Sequence, residues 1–184
     1  MTTREKINRA VFEVLLSKRE RGEYRIELID GEISETMPTQ LHGWIMAILS
    51  AALFNFLRLR PIGWVLVEAR YGLPEDDAHD LIPDLSFVRK ERGPLVEKGP
   101  APYMPDLAVE VQSPDDNPRV MAEKAAYYLA HGSRMVWLIY PSLQTVEVLS
   151  TGKRQRLTLK DALTGGDVLP GFSLPLQELF APAL

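Results

Sequence analysis

The sequence predicts an α/β protein with a central mixed β-sheet flanked by helices, and three observations carry that prediction. Asp106 to Ser113 alternates with period two, so Leu107, Val109 and Val111 share one face of a strand and Ala108, Glu110 and Gln112 the other. Met135 to Tyr140 is an almost continuous apolar run, the pattern of a strand covered on both faces. Between these runs lies a segment with helical spacing, so Leu107 to Tyr140 reads as one strand–helix–strand crossover joining parallel strands with a right-handed connection. Hairpins elsewhere in the chain add antiparallel pairs.

Taken in order, residues 2–22 read as a helix. Thr2 and Glu5 stand at capping-box spacing, Ile7, Val11, Val14 and Leu15 form an apolar stripe, and Gly22 is the stop. Tyr24 to Ile29 alternates as a strand, Asp30-Gly31 is a two-residue hairpin turn, and Glu32 to Glu35 returns. Thr39 caps a second helix that ends before Pro61, and its apolar positions, among them Ile45, Leu49, Leu53 and Phe56, make a stripe wide enough for a core helix. Gly63 to Leu73 reads as a strand, an acidic loop with His79 follows, and Pro83-Asp84 opens a short apolar strand through Val88.

Residues 90–105 hold four prolines and two glycines and read as an irregular surface loop. Asp115 or Asn117 can cap the crossover helix, Pro118 to His131, which Gly132 closes. Thr145–Leu149 and Arg154–Leu159, joined through Thr151-Gly152, form an edge hairpin, and the tail from Pro170 to Phe180 ends in a short helical turn.

With 184 residues and no repeats, the chain is expected to form a single domain over 1–184, an N-terminal helix at 1–22 leading into a core at 24–184. The absence of cysteine excludes disulfides, thiolate zinc sites and a thiol nucleophile. No signal peptide begins the chain and no apolar run is expected to reach the length of a membrane span, so the expectation is a soluble, cytoplasmic protein without membrane contact. A net charge of −4 offers no general attraction to phosphate backbones, and the basic clusters at 18–21, 58–60, 89–92 and 153–156 read as solvated faces. Neither GxGxxG nor GxxxxGK[ST] occurs, which disfavours the common nucleotide-binding loops.

The unusual residue is Glu110, a carboxylate in the middle of an apolar strand, where an acid is seldom buried unless paired or bound to metal. Asp84 begins another apolar strand and can bring a second carboxylate to the same place, for which a divalent cation is the natural partner. Lys124 stands on the apolar edge of the helix that follows the Glu110 strand, placed to reach back over the strand's end; the ordinary alternative is a snorkelling lysine. Ser113 has no partner histidine suggested by spacing, which leaves a serine hydrolase without its base.

The ordered set Tyr24, Glu27-Leu28-Ile29-Asp30-Gly31-Glu32, His42, Pro83-Asp84, Val109 to Pro114, Lys124, Tyr128, Trp137 and Leu169-Pro170-Gly171-Phe172 resembles the PD-(D/E)XK nuclease superfamily, and more closely its Uma-type, restriction-endonuclease-like branch. The resemblance implies a restriction-endonuclease-like fold and hydrolysis of DNA phosphodiester bonds with Mg²⁺ or Mn²⁺, by a homodimer where both strands are cut. It implies that Asp84 and Glu110 are the acidic metal ligands and that the Val111 carbonyl completes the oxygen shell. The superfamily's motif lysine falls on Gln112, so in this branch the lysine role passes to Lys124, with Glu27 and His42 as auxiliary residues. Glu27 could instead belong to a solvated strand face and His42 to a helix cap. The competing reading is a binding or assembly module that keeps the fold without catalysis, and Gln112 with the acidic balance favours it.

Overall fold

The computed structural model describes residues 6–18, 25–114 and 116–181. The expected caps Thr2 and Glu5, the stop at Gly22, the strand start at Tyr24 and the alternative cap Asp115 lie outside the described residues.

The elements follow the order α1 (Arg9–Lys18), β1 (Arg25–Ile29), β2 (Glu32–Thr36), α2 (Gln40–Leu59), β3 (Gly63–Val67), β4 (Leu85–Arg89), β5 (Leu107–Val111), α3 (Pro118–Ala130), β6 (Met135–Tyr140), β7 (Thr145–Ser150), β8 (Lys153–Leu157), β9 (Ala162–Gly165), β10 (Leu169–Pro175) and α4 (Leu176–Leu179). Six strands form one mixed sheet in the order β3-β4-β5-β6-β7-β8. The pair β5–β6 is parallel and is bridged by α3, while every other pair in the sheet is antiparallel. This is the mixed, helix-flanked α/β architecture the pattern predicts.

Local chemistry explains the boundaries. Asp30 and Gly31 both take positive φ, the requirement of a tight turn whose twist matches the strands it joins. The Thr39 hydroxyl accepts from the His42 N–H at 3.2 Å and caps α2. Asn117 caps α3 through the Arg119 N–H at 2.9 Å, with Pro118 in the first turn, where its missing donor costs nothing.

Alternation on β5 divides the core. Leu107, Val109 and Val111 pack with Ile45, Leu49 and Leu53 of α2, whereas Ala108 faces α3 together with Val136 and Leu138. Trp137 is fully buried in the first layer and stacks on Phe172 of β10 at 5.8 Å between ring centroids. Each fully buried large side chain of this kind contributes about 1.5–3 kcal/mol relative to exposure.

Four expectations are corrected. The buried face of α1 is Phe12, with Ile7 and Leu16 packed beside it, while Val11, Val14 and Leu15 are exposed. Arg9 sets this register: its guanidinium donates to the carbonyls of Leu73, Asp76 and His79, and that turns Phe12 onto Ile26 and Leu28.

The strand expected to run to Leu73 ends at Val67. Glu68 takes φ +48°, which turns the chain out of the sheet, and Tyr71 makes only isolated bridges to Leu81 and Ala101. The tail contains an unforeseen hairpin, β9–β10, which lays Phe172 and Leu174 over the first core. Finally, α2 is long and apolar enough to cross a membrane by length and composition, contrary to the expectation that no run reaches that mark. One of its faces packs on the sheet through Ile45, Leu49, Leu53 and Leu57.

Candidate active site

Topology places the two acids together. Because β4 runs antiparallel to β5, with Leu85 opposite Val109, the start of β4 lies beside the end of β5. Asp84, just before β4, therefore meets the Glu110-Val111 end of β5, and the Val111 N–H donates to Asp84 Oδ2 at 2.6 Å. The first turn of α2 brings His42 to the same point, with Nε2 3.4 Å from Asp84 Oδ1. The β1–β2 hairpin adds Arg25, whose Nη1 lies 2.5 Å from Asp84 Oδ1, and Glu27, which accepts the Ile82 N–H at 2.6 Å.

Lys124 reaches in from α3. Its Nζ lies 2.9 Å from Glu27 Oε1 and 2.8 Å from Glu110 Oε1, and the residue is only 4% exposed, so the snorkelling alternative is excluded. The Tyr128 hydroxyl, one turn further along, donates to Glu110 Oε1 at 2.9 Å. Glu27 is 2% exposed, which excludes a solvated strand face, and His42 is buried as well as standing in a helix's first turn.

Asp84, Glu110, Val111, Lys124, Glu27 and His42 line one cavity of about 600 Å³. Gln112 lies just past the end of β5, half-buried, and does not line that cavity. Sequence reasoning did not single out Arg25, the charge partner of Asp84, nor Glu68, 54% exposed at the rim and 3.7 Å from Arg25. The signal for Arg25 was available: it opens the strand that carries Glu27.

Ser113 does have a histidine, against expectation. Its Oγ lies 3.4 Å from His42 Nδ1, a contact between residues 71 apart that no local spacing reveals. Both His42 contacts are long for an activated serine, whose base sits at about 2.6–3.2 Å. Asp84 moreover shares its carboxylate among Arg25, the Val111 N–H and the imidazole. The arrangement fixes His42 against Asp84.

The two acids are driven in opposite directions. Burial raises the Asp84 pKa, but the His42 hydrogen bond, the Arg25 and His42 charges and the Val111 N–H outweigh it and hold the carboxyl at about 2. Burial raises the Glu110 carboxyl, Lys124 lowers it, and Asp84 and Glu27 raise it again, for a net value of about 7. Burial lowers the Lys124 ammonium, yet Glu110 and Glu27 outweigh this and push it above its usual range.

The metal-free protein should consequently lose stability as pH rises from the ordinary carboxylate range toward 7. Glu110 binds its proton more tightly when folded, so its contribution is complete below about pH 4.3 and disappears through the folded value. Urea unfolding in chelator across this window should show a slope of at most about 1.4 kcal/mol per pH unit from this group, flattened in Glu110→Gln. An identical slope in the variant would assign the pH dependence elsewhere.

The donor set suits a hard cation. Asp84 and Glu110 offer carboxylate oxygens, and Glu27 adds to the crowding of negative charge that a dication relieves. Among the described residues no three His, Asp or Glu side chains form a metal cage by themselves. Mg²⁺ does not require one, since it keeps several waters and binds through one or two carboxylates plus substrate phosphate.

A mixed sheet with one parallel crossover, and acids joined at the adjoining ends of β4 and β5 with a buried lysine over them, defines a restriction-endonuclease-like protein. The fold matches, at a TM-score of 0.79 and 25% identity, the crystal structure of "a putative nuclease belonging to DUF820" from Anabaena variabilis ATCC 29413, covering 92% of this chain and 97% of that one. Residues 11–177 match the Uma2 family model, described as "Putative restriction endonuclease", and the chain belongs to that family. No curated protein matches it.

Proposed function

We propose that this chain is a metal-dependent endonuclease that hydrolyses DNA phosphodiester bonds, working as a soluble, cytoplasmic homodimer of one restriction-endonuclease-like domain over 1–184. The observation that carries this reading is the meeting of Asp84, Glu110 and the buried ammonium of Lys124 in one cavity. Asp84, Glu110 and the Val111 carbonyl would hold Mg²⁺ or Mn²⁺, which supplies Lewis acidity toward water and the phosphate.

The chain's own residues supply the rest. Lys124, fixed by Glu27 and Glu110, presents positive charge to the phosphate as negative charge develops, and because it is already desolvated it needs no reorganisation. Tyr128 and Lys124 both hold Oε1 of Glu110, which orients that carboxylate. Arg25 and His42 keep Asp84 ionised at neutral pH, so it remains an acceptor for a cation. With Gln112 outside the cavity, the motif's positive charge comes from the helix and not from the strand.

A second reading, a nuclease-fold module without catalysis, is favoured by one observation: Lys124 already neutralises Glu110, and Arg25 Asp84, the two acids that a metal would bind. Calorimetric titration of Mn²⁺ into wild type and Glu110→Gln, with plasmid nicking at low salt, separates the two. Binding that disappears in the variant, with nicking that follows it, supports the enzyme. Absence of both in wild type supports the module.

A further inference from the structure

We propose that the outer face of α2 is a self-association surface, on which a second copy of this chain packs with its own α2 antiparallel, about a two-fold axis level with Leu49. The proposal rests on the homodimer in the reading above and assigns its interface. Ile45, Leu49, Leu53 and Leu57 pack on the core, with Leu41, Ile48, Ala52 and Phe56 beside them, while Trp44, Ala47, Ala51 and Phe54 stay exposed, so the helix carries a second apolar face that its own sheet does not use.

That face is specific. Trp44, Ala47, Ala51 and Phe54 succeed one another at spacings of three and four, on the side of the helix opposite Ile45, Leu49 and Leu53. Trp44 is 46% and Phe54 57% exposed. Beyond them, exposed Met37 precedes the helix and exposed Leu59 and Ile62 close it.

The order large–small–small–large is symmetric about residue 49. Turned antiparallel, Trp44 meets the partner's Phe54, Ala47 the partner's Ala51, and Met37 the partner's Pro61-Ile62 corner. A two-fold interface demands this self-complementarity, because the same patch must serve both subunits. The alanines at the centre let the helix axes approach to about 8 Å, and a Cβ added at Gly43 would still meet open space.

Scaled by these exposures and by aromatic side-chain areas of about 150–250 Å², the apolar part of the patch comes to roughly 600 Å² per protomer, against about 800 Å² per partner in a standard interface. Exposed Gln40, Asn55 and Arg58 border it and extend the area as a polar rim. The stripe between them carries no charge, as an interface core requires. A lipid surface is the poorer occupant. A helix lying on lipid shows a basic polar face opposite its apolar one, whereas the opposite face of α2 is buried in the core, and the net charge of −4 repels anionic headgroups.

The test uses the full chain, whose lack of cysteine gives a clean background. Sedimentation at micromolar concentration should show a dimer in wild type and a monomer with unchanged melting in Ala47→Glu. Mild oxidation of Ala47→Cys mixed with Ala51→Cys should give a covalent dimer, while Ala47→Cys alone should not, since like positions lie about four residues, or 6 Å, apart along the antiparallel axis. A dimer that persists in Ala47→Glu overturns the α2 interface and leaves the dimeric reading standing, with the β8 edge as its alternative. A wild-type monomer overturns both. A wild-type monomer whose Trp44 emission shifts on phosphatidylcholine vesicles gives the face to lipid and overturns the proposal.

Discussion

Asp84→Asn should abolish metal-stimulated DNA cleavage, a loss on the order of 10³-fold or more, and should also destabilise the fold. The activity loss follows from removing the acid that stays ionised: with its carboxyl at about 2, Asp84 is a permanent anion at neutral pH. The stability loss follows from its partners. Arg25 is left with Glu68 at 3.7 Å, and the Val111 N–H must make do with an amide oxygen. Breaking a buried pair by removing one partner costs about 3–5 kcal/mol.

The sign with pH is that of a depressed carboxyl. Its contribution is present above the ordinary carboxylate value and lost as pH falls toward 2, so acid should narrow the gap between wild type and variant. Nicking assayed below the variant's melting transition separates the two effects. Wild-type cleavage in folded Asp84→Asn would refute the assignment of Asp84. Removing an acid from a crowded acidic site relieves repulsion, and the structure divides the two acids on this point. Glu110, raised by burial and by Asp84 and Glu27, should tolerate the change; Asp84, held by His42 and Arg25, should not.

What the sequence made legible is what period and turn chemistry control. The alternation around Glu110 assigned Leu107, Val109 and Val111 to one layer and Ala108 to the other. Asp30-Gly31, Thr39 and Asn117 marked ends that local hydrogen bonds enforce. The candidate residues Glu27, His42, Asp84, Glu110 and Lys124 come from five segments and line one cavity; Asp84, Glu110 and Lys124 stood out by their positions in the chain, Glu27 and His42 only through the ordered resemblance.

The misses share a cause: each depends on a partner distant in sequence. The register of α1 is set by Arg9 donating to carbonyls 64 to 70 residues away. Arg25 is defined by Asp84, 59 residues on, and Ser113 by His42, 71 residues back. The early end of β3 depends on Glu68 adopting positive φ, which nothing in its side chain announces.

Lys124→Met should be the most destabilising single change at the site. Methionine keeps the length and fills the space, so the loss is of charge and not of packing. Glu27 and Glu110 would then face one another without the ammonium that lies within 3.0 Å of both. At pH 8 the cost should be about 3–5 kcal/mol, a fall in melting temperature of roughly 10 °C for a chain of this size. At pH 5 it should shrink. Lys124 is what lowers the Glu110 carboxyl, so without it that group rises further and takes up a proton, which relieves the repulsion. The double variant Lys124→Met with Glu110→Gln should be more stable at pH 8 than Lys124→Met alone, since the amide removes the charge left uncompensated. Additive effects in that cycle would mean that Lys124 and Glu110 do not interact energetically, despite lying 2.8 Å apart. Cleavage by folded Lys124→Met should fall by about 10²–10³, with Mn²⁺ affinity retained. An unchanged rate would remove Lys124 from the chemistry and leave it a structural cation, and the module without catalysis would then gain ground from the same residue that now argues for the enzyme.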